Sequence, residues 1–292
     1  MSIQRSRKTP FGNAFRPRWF NLNLQRILLH AMLIIAAMVT MLPLVWMLLS
    51  SLKTKAEIFV YPIEWLPRVP RYRNYPDALA SAPFGMYFLN SGFIGIVVTL
   101  STLCFSSLAG YGFAKFEFPG RDIAFIFILS TMMIPFQVIM IPLYLLTQRL
   151  GWLDSYPGLI VPGALTAFGV FLMRQFSLTI PDEYLDAARI DGCSEFRIWW
   201  MIAVPLCKPA LSALAILTFL GSWNNLLWPL IITTKDHLRT LPLGLALFQT
   251  EYVTDYGLLM AGSVLASLPI VVLFLVFQKE FVQGIVMSGI KG

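Results

Sequence analysis

From Ile27 to Leu49 the chain carries no Asp, Glu, Lys or Arg, and five more apolar runs follow, at about 89–113, 123–146, 156–176, 206–232 and 257–277. Arg174 and Lys208 are the only charged residues inside these runs, each near a run's end. About 20 apolar residues in a helix cross a hydrocarbon core of about 30 Å. Lipid offers no partner for backbone N–H and C=O groups, so such runs must be helical. The expectation is an all-α membrane protein with six transmembrane helices. Composition agrees: 13% of the residues are charged, about half the share of soluble domains.

The net charge of +7 belongs to topology. A nucleic-acid binder clusters its basic residues on a polar domain, and this sequence has no such domain. Met1 to Arg26 instead holds six basic residues and no acidic one, directly before the first run, which marks the cytoplasmic side. Six spans then place both termini in the cytoplasm, with 14 basic residues inside and 8 outside. Arg68, Arg71 and Arg73 weaken that bias, but longer outer loops translocate with little regard to charge. The first run is too long for a signal-peptide core and lacks a small-residue cleavage site, so it is expected to stay in the membrane. Cys104, Cys193 and Cys207 form no C-x-x-C pair and have no nearby His, so reduced thiols and no metal site are expected.

One polar interruption stands out: Thr179 to Pro209, TIPDEYLDAARIDGCSEFRIWWMIAVPLCKP. Thr179 is the expected N-cap of a helix over 181–191, with Pro181 in its first turn and Asp182 and Glu183 against the positive end of its dipole. Gly192 supplies a left-handed C-cap, Ser194 caps a second helix from Glu195 to about Ala203, and Pro205 stops it. Tyr184, Leu185, Ala188 and Ile190 give the first helix an apolar face, ringed by charges, that suits docking.

The spacing Asp186-Ala187-Ala188, three residues, Gly192, nine residues, Ile202-x-Val204-Pro205 resembles the EAA loop of ABC-importer membrane subunits, with Asp186 in place of the family's Glu and Val204 in place of its Leu. LNSGFIGIVVTL (89–100), AGYGFAKFEFPG (109–120), SWNNLLWPLI (222–231) and the ending QKEFVQGIVMSGIKG are similar to carbohydrate-importer permeases of the maltose-transporter kind. The resemblance implies the type I ABC importer fold, with the loop over 179–209 set in a groove of a cytoplasmic ATPase. Asp186, Ala187, Ala188, Gly192, Ile202 and Pro205 are the implied coupling residues. It further implies a second, homologous permease chain, two ATPase subunits carrying ATP and Mg, and an extracytoplasmic solute-binding protein reached by the outer loop 233–255, with the tail reaching the ATPase. The expected organisation is a basic tail (1–26), a first span (27–52), an outer segment (53–83), a type-1 transmembrane domain (84–280) and a cytoplasmic tail (281–292), in the inner membrane of a prokaryote.

Absences narrow the function. No Gly-Lys dipeptide occurs, which excludes a G-x4-G-K-[ST] phosphate loop. No carboxylate lies in a span, whereas ion-coupled carriers often use one. The carboxylates of the loop have no accompanying nucleophile, His or metal cluster, so a solvated face describes them better than a catalytic pair. Taken with these absences, the resemblance implies a permease subunit importing a carbohydrate or related polar solute by alternating access, and not an enzyme. The rivals are a secondary carrier and a polytopic enzyme acting on lipid-linked sugars.

Gln137, Trp223, Asn224 and Asn225 are the candidates for the solute path, because amides and aromatic faces bind hydroxyls and sugar rings without adding charge. Asn and Gln in membrane helices also simply bond neighbouring helices, at about 0.6 kcal/mol each, and both readings stand at this level.

Overall fold

The structure is a computed structural model that describes residues 19–251 and 255–289, with side chains over 24–247 and 255–276. The basic segment before Trp19 and the last three residues lie outside the described residues. In chain order the helices are α1 (Trp19–Ser50), α2 (Lys55–Ile58), α3 (Asn74–Ser81), α4 (Phe84–Lys115), α5 (Arg121–Thr131), α6 (Phe136–Arg149), α7 (Tyr156–Ile160), α8 (Ala167–Ser177), α9 (Asp182–Ile190), α10 (Glu195–Ile198), α11 (Val204–Leu206), α12 (Lys208–Trp223), α13 (Leu227–Ile232), α14 (Leu241–Glu251) and α15 (Tyr256–Gly289). No strand occurs among the described residues.

Three helices, α1, α4 and α15, are each long and apolar enough to cross a membrane, and three bent pairs raise the count to six. α5 and α6 meet at 99°, the α7 turn and α8 at 42°, and the α10–α11 stretch and α12 at 81°. The run at 123–146, expected as one span, is thus broken in its middle. Pro135 lacks an N–H and disfavours a helical residue before it. The turn closes with short-range bonds, Met132 N–H to the Leu129 carbonyl at 3.0 Å and Ile134 N–H to the Thr131 carbonyl at 3.2 Å. Other ends move too. α1 starts at Trp19, ahead of the expected Ile27; the outer loop 233–255 contains helix α14; and α15 continues to Gly289 where a tail from residue 281 was expected.

α4 is the central member, packing most extensively along α8 and then along α12. At about 1.5 Å per residue its 32 residues span about 48 Å, more than the thickness of a hydrocarbon core of about 30 Å. Glycine makes the close approach to α8 possible: a Cβ on Gly110 would stand 2.7 Å from the Arg174 backbone nitrogen and 2.8 Å from the Met173 carbonyl carbon. Gly169 faces Ser106 in the same way, at 2.9 Å from its Cβ. α1 is exposed from Leu24 to Leu44 and meets the rest of the chain chiefly at α15.

At the end opposite the 179–209 loop, two polar clamps hold the connections. Asn90 Nδ2 donates to the carbonyls of His237 and Arg239, both at 2.9 Å, and Tyr87 Oη donates to Asp236 at 2.5 Å. Asp154, in left-handed backbone (φ 50°), accepts from Thr234 N–H at 2.5 Å, Thr234 Oγ1 at 2.6 Å and Lys235 N–H at 3.0 Å. Burial pushes the Asp154 carboxyl up, and these hydrogen bonds outweigh it and hold the group below its ordinary value of 3.8. In the 53–83 segment the fully buried Lys53 donates to the Glu64 carbonyl and lies 4.6 Å from the Trp46 ring centroid. Tyr61, Trp65 and Tyr72 are exposed, as an interfacial belt requires, whereas Tyr75 turns inward to bond Ser51 at 2.8 Å.

Gly110→Val should lower the melting temperature of the detergent-purified protein by several degrees, as overpacking costs about 1–3 kcal/mol. Gly112→Val is the control, since its Cβ would meet nothing within 4 Å. Asp154→Ala should raise hydrogen exchange at residues 233–238 at least several-fold. Because the folded Asp154 pKa is depressed, the clamp is fully present above the ordinary value and is lost only as pH falls through the lower folded one. Wild-type protection there, corrected for intrinsic exchange, should stay flat from neutrality to about pH 4.

Candidate functional site

The 179–209 loop is built largely as its sequence suggests, with changes at both ends. α9 is capped by Pro181, while Thr179 Oγ1 donates backwards to the Phe176 carbonyl at 2.7 Å. Thr179 therefore closes the preceding helix, because Pro181 already sets the extended conformation that α9 needs at its start. Gly192, at φ 79°, forms the C-terminal turn: its N–H bonds the Arg189 carbonyl at 3.0 Å and Cys193 N–H bonds the Ala188 carbonyl at 2.9 Å. Ser194 Oγ then caps α10 by accepting from Arg197 N–H at 3.4 Å. Pro205 does not stop the second helix. A π turn over Trp199–Ala203 leads without a break into α11, which carries Pro205, and the 81° break falls at Cys207.

The apolar face expected to dock is turned into the chain. Leu185 is 0% exposed and Ala188 8%, both packed with Tyr111, Met173, Ile198 and Trp199 in one core. Burying a leucine this way is worth about 1.5–3 kcal/mol, which holds α9 against the ends of α4 and α8. Ile202 packs on the same core, and Pro205 is exposed. The apolar side chains left outside are Tyr184, Ala187 and Ile190, with Ile190 86% exposed, among the exposed Asp182, Glu183, Asp186 and Arg189.

Asp186 is paired within its own helix, Arg189 Nη1 donating to it at 2.8 Å, as the i,i+3 spacing allows. The same guanidinium forks onto Glu195 at 2.7 and 3.3 Å, and Glu195 accepts from Tyr111 Oη at 3.3 Å. Glu195 first and then Asp186 push the Arg189 pKa above its ordinary value, so its charge is fixed. On the other side of α9, Lys115 Nζ donates to the Ile180 carbonyl at 2.6 Å and to Asp182 at 2.7 Å, and holds the Asp182 carboxyl below its usual range. Sequence reading missed Tyr111, Lys115, Arg189 and Glu195 as a set. The available signal was the i,i+4 spacing of Tyr111 and Lys115, which puts both on one face at the end of α4.

A cavity of about 380 Å³ lies between α4, the α7–α8 pair, α12 and α13. Thr166, Thr218, Ser222 and Asn225 supply its polar groups, Phe136 and Trp228 are among its aromatic walls, and no Asp, Glu, Lys, Arg or His lines it. Asn225 is the one predicted path residue in its lining, with Oδ1 accepting from Trp228 N–H at 3.3 Å. Trp223 is 3% exposed, donates to the Ala266 carbonyl at 3.3 Å and stacks on Phe219 with centroids 5.7 Å apart. Asn224 bonds back to the Leu220 carbonyl at 3.0 Å and edges a separate hollow of about 200 Å³ with Ser263 and Ser267. Gln137 lies exposed on α6, beside Phe136 but outside the lining. Thr218 and Ser222, four apart in an apolar run, carried a signal that sequence reading passed over.

Known proteins share this architecture. The family described as "Binding-protein-dependent transport system inner membrane component" matches residues 102–286. The arabinooligosaccharides transport system permease protein AraQ of Bacillus subtilis (strain 168) is 40% identical over 270 residues, covering 91% of this chain and 96% of that protein. The lactose transport system permease protein LacG of Rhizobium radiobacter is 34% identical, covering 90% and 95%. The sn-glycerol-3-phosphate transport system permease protein UgpE of Yersinia enterocolitica is also 34% identical, covering 90% and 96%. Among solved structures, a chain of a bacterial ABC transporter involved in import of the acidic polysaccharide alginate superposes with a TM-score of 0.79 at 25% identity, covering 92% of this chain and all of that one. Six spans with one folded polar loop, matched along most of their length by transport permeases and by no enzyme among these relatives, place this chain in the binding-protein-dependent inner-membrane component family, as a permease subunit of an ABC importer.

Proposed function

We propose that this permease moves a neutral oligosaccharide, or a polyol of similar chemistry, and that separate ATPase subunits drive it through the 179–209 loop. The observation that carries the substrate class is the lining of the 380 Å³ cavity: three hydroxyls, one carboxamide and three aromatic side chains set among aliphatic ones such as Val98, Leu159, Leu214 and Leu217, with no ionisable side chain among the described residues. Hydroxyl and amide groups exchange hydrogen bonds with sugar hydroxyls, and aromatic walls cover the apolar face of a sugar ring. A phosphate or a uronate enters such a site without a cation to replace its lost hydration. The arabinooligosaccharide relative, at 40% identity against 34% for the glycerol-phosphate relative, supports the neutral class.

For the drive, the support is the exposed Tyr184, Ala187 and Ile190 on a helix whose other face is anchored in the core. Nucleotide-driven closure of two ATPase subunits, which bind ATP and Mg, displaces that helix and the spans attached to it. A second permease completes the path, an extracytoplasmic binding protein delivers the solute, and both termini face the cytoplasm. Asp186 is paired with Arg189, so contact with the ATPase rests more on the exposed apolar side chains of the tip than on that carboxylate.

In the complex reconstituted with its ATPase and binding protein, arabinotriose or lactose should stimulate ATP hydrolysis and sn-glycerol 3-phosphate should not; stimulation by the phosphate alone would refute the neutral class. Gly192→Val forces a β-branched side chain into left-handed backbone at about 1–2 kcal/mol and should cut ATPase retention in pull-down about five- to thirty-fold, with membrane insertion unchanged. Asp186→Ala removes one exposed ion pair worth a few tenths of a kcal/mol and should leave retention within about two-fold.

A further inference from the structure

Granting that α9 docks an ATPase, we infer that its motion reaches the membrane through two side-chain straps onto α4, Lys115 to Asp182 and Tyr111 to Glu195, and that Tyr111 and Lys115 are positioning residues for transport. The covalent routes out of the loop are poorly suited to the task. Towards α12 the chain passes a π turn over Trp199–Ala203 and then an 81° break at Cys207. Towards α8 it passes the non-helical stretch Leu178–Pro181. The side-chain route is short by comparison and is enclosed at its α4 ends, while Asp182 stands 73% exposed. Lys115 Nζ, on a side chain only 6% exposed, closes on the Ile180 carbonyl at 2.6 Å and on Asp182 at 2.7 Å. Tyr111, 3% exposed, reaches Glu195 at 3.3 Å, and Arg189 ties Glu195 back to α9 at 2.7 Å.

One strap meets α9 at Asp182 and the other at its far end, through Glu195 of α10 and Arg189; the fully buried Leu185 lies between Asp182 and Arg189 in sequence. A pull on the tip therefore loads α4 directly. α4 also reaches the cavity, whose lining draws most on α12: Val98 of α4 lines it, and Thr102 Oγ1 donates to the carbonyl of the lining Gly163 at 3.0 Å. Loop, α4 and α8 then move as one body, and the cavity wall is displaced with the docking helix.

The test uses the full complex, assembled with a chain whose three native cysteines are replaced and which carries spin labels at Glu117→Cys, just past α4, and Arg197→Cys, on α10. Both positions are exposed. Between nucleotide-free and ATP–vanadate-trapped complexes, the label-to-label distance should stay constant in the wild-type background. It should shift or broaden by several ångström in Tyr111→Phe/Lys115→Met, and Lys115→Arg should behave as wild type. Tyr111→Phe alone, which removes one hydroxyl, serves if the double variant fails to insert. A trapped distance as constant in the variants as in wild type would overturn the inference, and so would a wild-type distance that shifts on its own. Loss of ATPase from the strap variants alone would assign the contacts to the foothold and overturn transmission while leaving docking intact. Failure of the wild-type chain to retain ATPase would instead sink the docking reading, and this inference with it.

Discussion

The separation of α4 from α8 sets almost everything else in the molecule. Gly110 and Gly169 let the two backbones approach to a distance at which any Cβ would overlap its neighbour. In lipid, where tails are as apolar as leucine, helix association draws on this kind of close packing. Because the pair is tight, Arg174 on α8 can donate to the Phe113 carbonyl on α4 at 3.3 Å and lie 4.2 Å from the Phe125 ring, fixing α5 to the same unit. The loop that follows α8 is thereby delivered to the end of α4, within reach of Tyr111 and Lys115.

A second constraint explains the breaks. Backbone groups freed inside a membrane have to find partners, so a helix interruption is tolerated only where the chain itself supplies them or where water reaches. At the α7–α8 bend Thr166 Oγ1 accepts from Gly169 N–H at 3.0 Å, and Asn225 does the same for Trp228 at the start of α13. Both residues line the cavity. Two of the four groups that make the cavity polar are thus groups that repair the backbone, so part of the cavity's polarity arises where the spans are interrupted.

The six runs were legible because the length of an apolar segment is fixed by membrane thickness, and Gly192 because a C-terminal turn needs a left-handed residue. Residues whose role depends on what lies opposite them were not legible. Leu185 and Ala188 form an apolar stripe that reads equally as a foothold for a partner or as an anchor in the core, and only the position of Tyr111 and Met173 decides. Trp223 and Asn225 are two apart in SWNNLLWPLI, yet the helix ends between them, so one is packed against Phe219 and the other faces the cavity. The link from Tyr111 to Glu195 crosses 84 residues of sequence, beyond any local pattern.

The shorter acid at position 186 has a consequence for the loop as a whole. An aspartate on α9 stays close to its own backbone and meets Arg189 one turn on, where a longer side chain would extend further into solvent. Arg189 is then shared between Asp186 on α9 and Glu195 on α10, so the angle between the two helices is set twice, by the Gly192 turn and by a charged fork. Three charges that a solvated helix would present outward are spent on each other. Tyr184, Ala187 and Ile190 are left exposed among carboxylates that include Glu183 and Asp191, and rigidity of the loop lowers the entropy lost on any contact made there.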